Sequence, residues 1–331
     1  MPSFKIIKMT EMSPMHIGLG RDSYDVSAGT LHSDTLTSAL AAMRAMKGND
    51  GDLPQFLESF ALSSAFPYYK DTLFLPKPAG KLNVTVNGWE EKDYRKLLKK
   101  VKYVALPLWT ELIKGTEQVV ERNQLHGEYL LNSPDADFVP PMVSDIHQRV
   151  TVPRTDNLNA TPFAFEWTFF RENCGLYCLL DAENEEIENE VIGLFDELGE
   201  QGIGSDRNVG GGHFKIDSNE AIMIPEVTDS NATMLVSMYI PTEQELPMLN
   251  VDKSRYQLLK RGGFIAGSSI DNLRHLRKNT IYMFTAGSVF NTSASVAGKV
   301  VDLRPAWTDG DLHPVYRSGK ALSINIKTNW S

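Results

Sequence analysis

A glycine-rich segment at residues 202–214 constrains the fold of this chain more than any other feature. It reads Gly202-Ile203-Gly204-Ser205-Asp206-Arg207-Asn208-Val209-Gly210-Gly211-Gly212-His213-Phe214 and lies between a predicted amphipathic helix and a predicted strand. Glycine tolerates positive φ and leaves its N–H uncovered, and consecutive uncovered N–H groups attract anions. Arg207 adds a permanent, forked positive charge. The segment predicts a loop that contacts phosphate or a polynucleotide backbone, with a long solvated turn as the alternative.

The common nucleotide-binding motifs do not fit this loop. A P-loop has its glycines before a helix and ends in Gly-Lys-Ser/Thr, whereas here the helix comes first and no lysine follows the glycines directly. A Rossmann fingerprint also opens a helix, and this segment closes one. Neither motif is therefore predicted.

Charge is distributed unevenly along the chain. The net charge of −9 argues against nucleic acid as a partner. However, residues 181–200 hold nine acidic and no basic residues, whereas residues 253–278 hold seven basic residues and one acid. A polyanion responds to the field within about 8–10 Å more than to the total charge. The acidic segment is interpreted as a solvated face or a partner surface, and the basic segment as one wall of a nucleic-acid cleft.

The composition indicates a cytoplasmic protein without metal, cofactor or membrane span. The only cysteines, Cys174 and Cys178, lie four residues apart with no second pair to complete a zinc site, so both are predicted to be free thiols. No run of eighteen apolar residues indicates a membrane helix. The first nine residues lack the apolar core of a secretory signal.

The order of predicted elements indicates an α+β fold. Phe4–Met9 is a strand, and Ser33-Asp34 offers capping oxygens for the helix that follows. Strands at Phe163–Phe170 and Leu176–Leu180 form a hairpin turning at residues 173–175, a helix covers about 185–199, and a strand covers His213–Ile216. Without an insertion at about 50–162, the order is βαββαβ, the ferredoxin-like arrangement. RNA-recognition domains share it and present their sheet to RNA.

The remaining segments complete this prediction of two ferredoxin-like domains, residues 1–225 and 226–331. Within the insertion, Lys92–Lys100 is a basic helix, and the alternating Gln148–Val152 followed by a turn at residues 153–157 predicts a protruding, thumb-like hairpin. The second domain is interpreted as a degenerate copy of the first. Its predicted strands are Ala232–Ile240, Thr280–Phe284, Lys299–Leu303 and Ala321–Ile326.

Short motifs spread over nearly the whole chain resemble a known family. They are Ser13-Pro14-Met15-His16-Ile17-Gly18, Leu31-His32-Ser33-Asp34-Thr35-Leu36, Leu73-Phe74-Leu75-Pro76-Lys77-Pro78, the segment Gln148 to Thr155, the glycine-rich loop, Tyr239-Ile240-Pro241 and the segment Arg255 to Gly263. Together and in this order they resemble the RAMP superfamily of CRISPR RNA-binding proteins. Within it, the chain is similar to the Cas-five-like group that supplies the fourth subunit of the type III-A Csm complex. The triple glycine before His213 departs from the family pattern.

The resemblance implies a non-catalytic subunit of a hetero-oligomeric ribonucleoprotein in antiviral defence. Such a subunit caps the crRNA at its 5′ tag. It contacts the large Cas-ten-type subunit on one side and the third Csm subunit, which forms the backbone, on the other. A thumb-like hairpin disturbs base pairing where the tag meets the guide.

Combined with this resemblance, residue chemistry yields a set of candidate RNA contacts. Loop amides and arginines suit phosphates, which position RNA more than they read its sequence, and histidine rings suit bases. Ser33 and Thr35 stand at a helix N-terminus that favours phosphate, and Asp34 is interpreted as a cap. Local hydrogen bonding, helix capping and solvated charge remain the alternative roles. The predicted contacts are His16, Gly18, His32, Ser33, Thr35, Arg149, Arg154, Gly202, Gly204, Ser205, Arg207, Asn208, Gly210, Gly211, Arg255 and Arg261.

Two catalytic alternatives stay open. Two histidines near RNA can support general acid–base cleavage, as in a RAMP-type, metal-independent endoribonuclease that processes crRNA. The glycine-rich loop also suits a nucleotide-binding or transferase enzyme. The sequence favours the non-catalytic subunit over both.

Overall fold

The computed structural model describes residues 2–19, 24–152, 159–265, 276–307 and 312–329. Its helices are α1 (Ser33–Met46), α2 (Leu53–Glu58), α3 (Glu91–Lys100), α4 (Leu106–Leu112) and α5 (Glu185–Gln201). Its strands are β1 (Ser3–Thr10), β2 (Phe60–Leu62), β3 (Phe66–Tyr69), β4 (Thr72–Pro76), β5 (Val84–Val86), β6 (Tyr103–Ala105), β7 (Gln118–Val120), β8 (Leu125–His126), β9 (Tyr129–Leu130), β10 (Met142–Thr151), β11 (Thr161–Phe170), β12 (Cys174–Ala182), β13 (Lys215–Asp217), β14 (Ala221–Met223), β15 (Ala232–Leu235), β16 (Leu258–Arg261), β17 (Ile281–Phe284), β18 (Val289–Phe290), β19 (Val300–Asp302), β20 (Tyr316–Ser318) and β21 (Ser323–Ile326).

A ten-stranded sheet organises the first two thirds of the chain. Its strand order is β13-β1-β12-β3-β4-β6-β9-β8, with β14 also paired to β1 and β2 to β12. The elements β1, α1, β3, β12, α5 and β13 follow a β-α-β-β-α-β order, and their four strands are neighbours in the sheet. The predicted insertion at about 50–162 therefore contains β3 and β4, which are part of the main sheet.

The predicted pairing of Phe163–Phe170 with Leu176–Leu180 is wrong. The strand β11 pairs with β10 in ten register positions, from Met142↔Phe170 to Thr151↔Thr161. The strand β12 instead lies between β1 and β3, with Ile7 opposite Cys178 and Leu176 opposite Pro67. The physical reason is burial, since the first seven residues of β12 are buried whereas most of β11 is half-exposed. A strand that is apolar on both faces belongs in the middle of a covered sheet.

Both faces of the central sheet are covered. On one face, Ile7, Met9 and Cys178 pack against α1 and α5. On the other face, Ile6 and Leu179 join a cluster with apolar residues of the C-terminal half, including Met234, Val236, Ile324 and Ile326. The sheet surface that RNA-recognition domains expose is therefore closed here and is not available to RNA.

The C-terminal half consists of small sheets, β18-β15-β21, β16-β17 and β19-β20. The predicted strand Ala232–Ile240 ends at Leu235, and residues 236–240 continue as a buried segment without a regular ladder. Within the part of residues 226–331 that the structure describes, strands are joined by loops and 3₁₀ turns and no α-helix is present. The helices of a second ferredoxin-like unit are thus not found in that part, although the α+β class is observed.

Candidate nucleic-acid interface

The glycine-rich loop leaves α5 at Gly202, where φ is 78°. Gly204, Gly210 and Gly212 also have positive φ, and so does Asp206 at 59°. A Cβ on Gly204 would lie 2.3 Å from the carbonyl oxygen of His16, and one on Gly212 would lie 1.9 Å from that of Ile203. These glycines are therefore required by close backbone packing as well as by conformation.

Most amides of the loop bond inside the protein. The N–H of Ser205 donates to the carbonyl of His16 at 2.9 Å, and that of Gly212 donates to the carbonyl of Pro14 at 2.9 Å. The amides of Gly210 and Gly211 donate within the loop, to Arg207 and Asp206 respectively, at 3.1 Å each. Among the described residues of the loop, those left without a recorded partner are the amides of residues 204 and 206–208. The anion-attracting surface is accordingly smaller than the glycine count predicts, and it centres on Arg207 and Asn208, which are exposed.

The hairpin of β10 and β11 packs beside this loop. The Arg149 guanidinium forms an ion pair with Asp206 and lies 4.8 Å from the centroid of the Phe165 ring. Trp167 contacts the loop as well, because a Cβ on Gly211 would lie 2.9 Å from its ring. Arg149 therefore holds the hairpin against the loop, and its charge is partly neutralised. Arg154, the other arginine predicted here, lies outside the described residues.

His16 is enclosed between the loop and the hairpin. Its side chain is 0% exposed, its Nδ1 lies 2.8 Å from the carbonyl oxygen of Glu166, and its ring centroid lies 4.5 Å from that of Phe165. Its Nε2 has no hydrogen-bond partner among the described residues. Stacking of a base on this ring would require exposure that the fold does not provide. Gly18, by contrast, is exposed and lies beside Ser205.

Sequence reasoning missed the aromatic residues of this site. Tyr24 is 49% exposed, and its ring stacks on Phe165 with centroids 5.8 Å apart and 17° between the planes. Phe163, Trp167 and Phe169 are half-exposed on the same strand. The available signal was the alternation of aromatic residues at positions 163, 165, 167 and 169, which places their rings on one face of a strand. Exposed and half-exposed rings on a hairpin that is ion-paired to the loop can stack nucleic-acid bases.

The predicted contacts at the start of α1 lie elsewhere, in a buried ionic cluster. Asp34 is fully buried and accepts hydrogen bonds from Arg261 at 2.6 and 3.1 Å and another from Arg317. It does not cap the helix, so that interpretation is wrong. Thr35 Oγ1 accepts from Arg261 at 2.7 Å, and Ser33 Oγ accepts from the amide of Met238 at 2.8 Å. These groups thus join α1 to the C-terminal half.

Protonation in this cluster follows from burial and charge. Burial raises the pKa of Asp34, but Arg317 and Arg261 outweigh it and hold that pKa below its usual value. Burial, reinforced by Arg261 and opposed by Asp34, lowers the pKa of His32 to about 4. His32 is therefore neutral at pH 7. Arg255 is exposed, and its backbone pairs with Val289 in the C-terminal half.

Three further predictions concern the cysteines, possible metal ligands and possible membrane helices. Cys174 and Cys178 are buried free thiols, as predicted. The described ranges contain no group of His, Cys, Asp or Glu side chains arranged to hold a metal ion. Within the same ranges, no helix combines the length and the apolar character that crossing a bilayer requires.

Comparison with known proteins relates this chain to Csm4 proteins. Residues 228–326 match the family described as the CRISPR Csm4 C-terminal domain. The protein named CRISPR system Cms protein Csm4 from Mycobacterium tuberculosis H37Rv is 26% identical over 302 residues, which cover 89% of each chain. The C-terminal third of the chain therefore matches the Csm4 family model, and the chain as a whole is similar to Csm4 proteins. The Csm4 protein of Thermococcus onnurineus is 24% identical and covers 85% of this chain and 87% of its own.

Solved structures extend this Csm4 relationship to the fold. A chain of the Csm1-Csm4 cassette crystallised with cA4 superposes with a TM-score of 0.62 at 19% identity and covers 100% of both chains. A chain of the Csm3-Csm4 subcomplex of the type III-A CRISPR-Cas interference complex gives a TM-score of 0.60 at 18% identity, covering 98% of this chain and 99% of its own. The α+β architecture is therefore that of solved Csm4 complexes.

Proposed function

We propose that this chain is a non-catalytic, crRNA-binding subunit of a type III-A CRISPR effector complex that caps the 5′ tag of the crRNA. The observation that carries the proposal is the unit of loop and hairpin, in which Arg207 and Asn208 are exposed and the exposed ring of Tyr24 stacks on Phe165 beside Arg149. It combines a cation and unpaired amides with aromatic faces, which is the chemistry that single-stranded RNA requires.

The loop and the hairpin would act on different parts of the RNA. Phosphates contact Arg207 and the amides of residues 206–208, which positions the strand without reading its sequence. Bases of the tag stack on Tyr24 and the half-exposed rings of β11. The other face of the hairpin exposes Ile146 (58%) and Val150 (55%), which suits a thumb that separates the tag from the guide. The β13-β1-β12-β3 order supports a ferredoxin-like core for this domain.

The histidines support a non-catalytic role. General acid–base cleavage needs two titratable groups in contact with the scissile phosphate. His16 is enclosed and bonded to the backbone of Glu166, and His32 is half-buried beside the ionic cluster with a pKa of about 4. Neither residue is exposed at the surface around Arg207, so the crRNA-processing alternative has no observation in its favour.

The partners are proposed from the relatives. Solved structures of similar chains are described as a Csm1-Csm4 cassette and a Csm3-Csm4 subcomplex. We extend this to the present chain, which would join the large Cas-ten-type subunit, Csm1, to the backbone subunit, Csm3. Because both faces of its sheet are covered, these contacts would use the edges and loops.

The test measures binding of RNA that carries the repeat-derived tag. Fluorescence anisotropy with 5′-tag RNA labelled at its 3′ end should show Arg207→Ala weakening the complex by about ten- to hundredfold, because a charge-assisted phosphate contact is worth about 1.5–3 kcal/mol. Arg304→Ala, which removes the same charge from the C-terminal half, should leave affinity within about twofold. Equal affinity for both variants would contradict the proposal. Cleavage of the RNA by purified protein, lost in His16→Ala, would instead establish the nuclease.

A further inference from the structure

A second basic site lies around α3. A cleft of about 190 Å³ opens between this helix and the segment that follows β4. Its rim carries Lys77, Lys81, Arg95 and Lys99, and we call it the α3 cleft. The glycine-rich loop contributes no residue to it.

The surroundings of the α3 cleft are basic although the chain is acidic. Residues 77–102 contain eight lysines and arginines and three acids in a chain of net charge −9. Glu91 pairs with Lys81 at 2.7 Å. Among the described residues, no carboxylate lies within ion-pair distance of Lys77, Arg95 or Lys99. The rim therefore carries an excess of positive charge that attracts an anion.

The floor of the α3 cleft strengthens this field. It is formed by Leu82, Tyr94 and Leu98, each less than 10% exposed. Lys77 is half-buried above it, with its Nζ 3.4 Å from the carbonyl oxygen of Leu98, and burial lowers the pKa of its ammonium group. Lys99 complements the negative end of the α3 dipole, but Lys77 and Arg95 have no such role. A low-dielectric floor makes their attraction for an anion stronger.

The position of the α3 cleft separates it from the proposed tag site. The strand β13, which follows the glycine-rich loop, is at one end of the main sheet, and β4, which precedes Lys77, is four strands away. At about 4.8 Å per strand, the separation is roughly 20 Å. A nucleotide bound at Arg207 does not reach Lys77.

We infer that the α3 cleft binds the phosphate groups of a single nucleic-acid strand, at a contact distinct from the proposed tag site. Arg95 and Lys99 are neighbours on one helix face, with Cβ atoms about 5–6 Å apart, so both reach one phosphate or two adjacent ones. The rim offers four cations, one of which is paired with the single rim carboxylate, Glu91, and no exposed aromatic ring. The contact is therefore independent of base sequence and sensitive to salt.

The experiment uses fluorescein-labelled dT12, which carries neither a 2′-hydroxyl nor a tag, and the full chain. Affinity is measured by anisotropy between 50 and 200 mM NaCl. The double variant R95A/K99A should weaken binding about tenfold at 50 mM and lower the slope of log affinity against log salt by about 1.4, since each single-strand phosphate contributes about 0.7. The matched control K92A/K96A removes the same charge from the same helix, outside the cleft. Its affinity for dT12 should stay within about threefold of that of the parent protein.

Several outcomes would overturn the inference. One is an identical affinity and salt slope for R95A/K99A and K92A/K96A. A second is displacement of dT12 by 5 mM inorganic phosphate at constant ionic strength, which would assign the cleft to free phosphate. A third is displacement by a twelve-residue polyglutamate as effectively as by unlabelled dT12, which would assign the cleft to an acidic protein. Circular dichroism checks folding, and R95Q/K99Q replaces the alanine pair if that pair unfolds. Repeating the series in an Arg207→Ala background separates this contact from the tag site.

Discussion

At the scale of single residues, Asp34 connects distant parts of the chain. Its buried carboxylate binds Arg261 and Arg317, which are 227 and 283 positions away. Removing a buried charge leaves its partners unpaired, but burying the ion pair costs desolvation free energy. Such a cluster therefore specifies how α1 and the C-terminal half pack on each other more than it adds to the free energy of unfolding. The neighbouring Lys278 has a pKa of about 8, lowered by burial and by Arg317 and Arg261. We expect this cluster to make stability depend on pH.

The first prediction concerns His32. Its pKa is about 4 in the folded chain and 6.5 as a reference value, so the unfolded state binds the extra proton between these values. Stability from this group is therefore present above pH 6.5 and is lost as pH falls toward 4. Between pH 7 and pH 5, its share of the free energy of unfolding should fall by about 2 kcal/mol. Urea denaturation at both pH values measures this loss.

His32→Asn is the comparison for that measurement. Asn does not titrate, so the variant should lose about 2 kcal/mol less than the parent over the same pH interval, whatever its stability at pH 7. Equal losses for the two proteins would show that other groups cause the pH dependence.

The second prediction uses two glycines that differ in their surroundings. Gly212→Ala should destabilise the chain by about 2 kcal/mol or more, because its Cβ meets a backbone carbonyl and its φ is positive. Gly193 lies within α5 with no atom within 4 Å of an added Cβ. Gly193→Ala should stabilise it by about 0.5–1 kcal/mol. Thermal unfolding tests both, and a neutral Gly212→Ala would contradict the packing described for the loop.

At the scale of elements, the β10–β11 hairpin and the glycine-rich loop form one unit. Arg149 bonds to Asp206 of the loop, and the loop packs on the segment around His16. Most of β10 is exposed, whereas the aromatic face of β11 packs on this loop, on His16 and on Tyr24. We expect its affinity for RNA to depend on rings more than on additional charges.

The third prediction tests the exposed ring of this unit. Tyr24→Ala should weaken binding of 5′-tag RNA by about 1–3 kcal/mol, because stacking of one base is lost. Tyr24→Phe keeps the ring and should bind like the parent. Tyr282 is 60% exposed in the C-terminal half, and Tyr282→Ala supplies the matched control with no expected effect. Anisotropy titrations compare the three; a loss of affinity in Tyr24→Phe equal to that in Tyr24→Ala would exclude stacking as the cause.

At the scale of the whole molecule, one core spans both halves of the chain. Ile6 and Leu179 of the main sheet share a cluster with Met234 and Ile324 of the C-terminal half. Apolar surface exposed by separation would cost about 25 cal/mol per Å². The hydrophobic core therefore contains residues from both sides of the boundary predicted near residue 225.

The fourth prediction follows from this shared core. Residues 1–225 and 226–331, expressed separately, should each be unfolded or aggregated, and co-expression should restore a folded complex. Size-exclusion chromatography and resistance to proteolysis report the outcome. A folded, monomeric 226–331 fragment would show that the two halves are independent domains.

Local patterns predicted elements well and their partners poorly. The bounds of β1, α1 and α5 follow largely from hydrophobic periodicity, and the structure places them within a few residues of the prediction. The pairing of β11 with β10 depends on which strand the core buries, which no local pattern contains. The contact between Asp34 and Arg261 likewise depends on folding of the complete chain. The glycine-rich loop was located correctly, but its internal hydrogen bonds reduced the amide surface that composition suggested.

Because both faces of the main sheet are covered, this molecule has no open face of that sheet with which to bind a ligand. Its ligands therefore meet loops, helix surfaces and strand edges instead of an open sheet face. A chain built this way acquires new ligands by extending its peripheral loops, and its interior is unaffected by the change. Relatives of this protein should therefore differ in the ligands they bind mainly through peripheral insertions, such as the segment that carries α3.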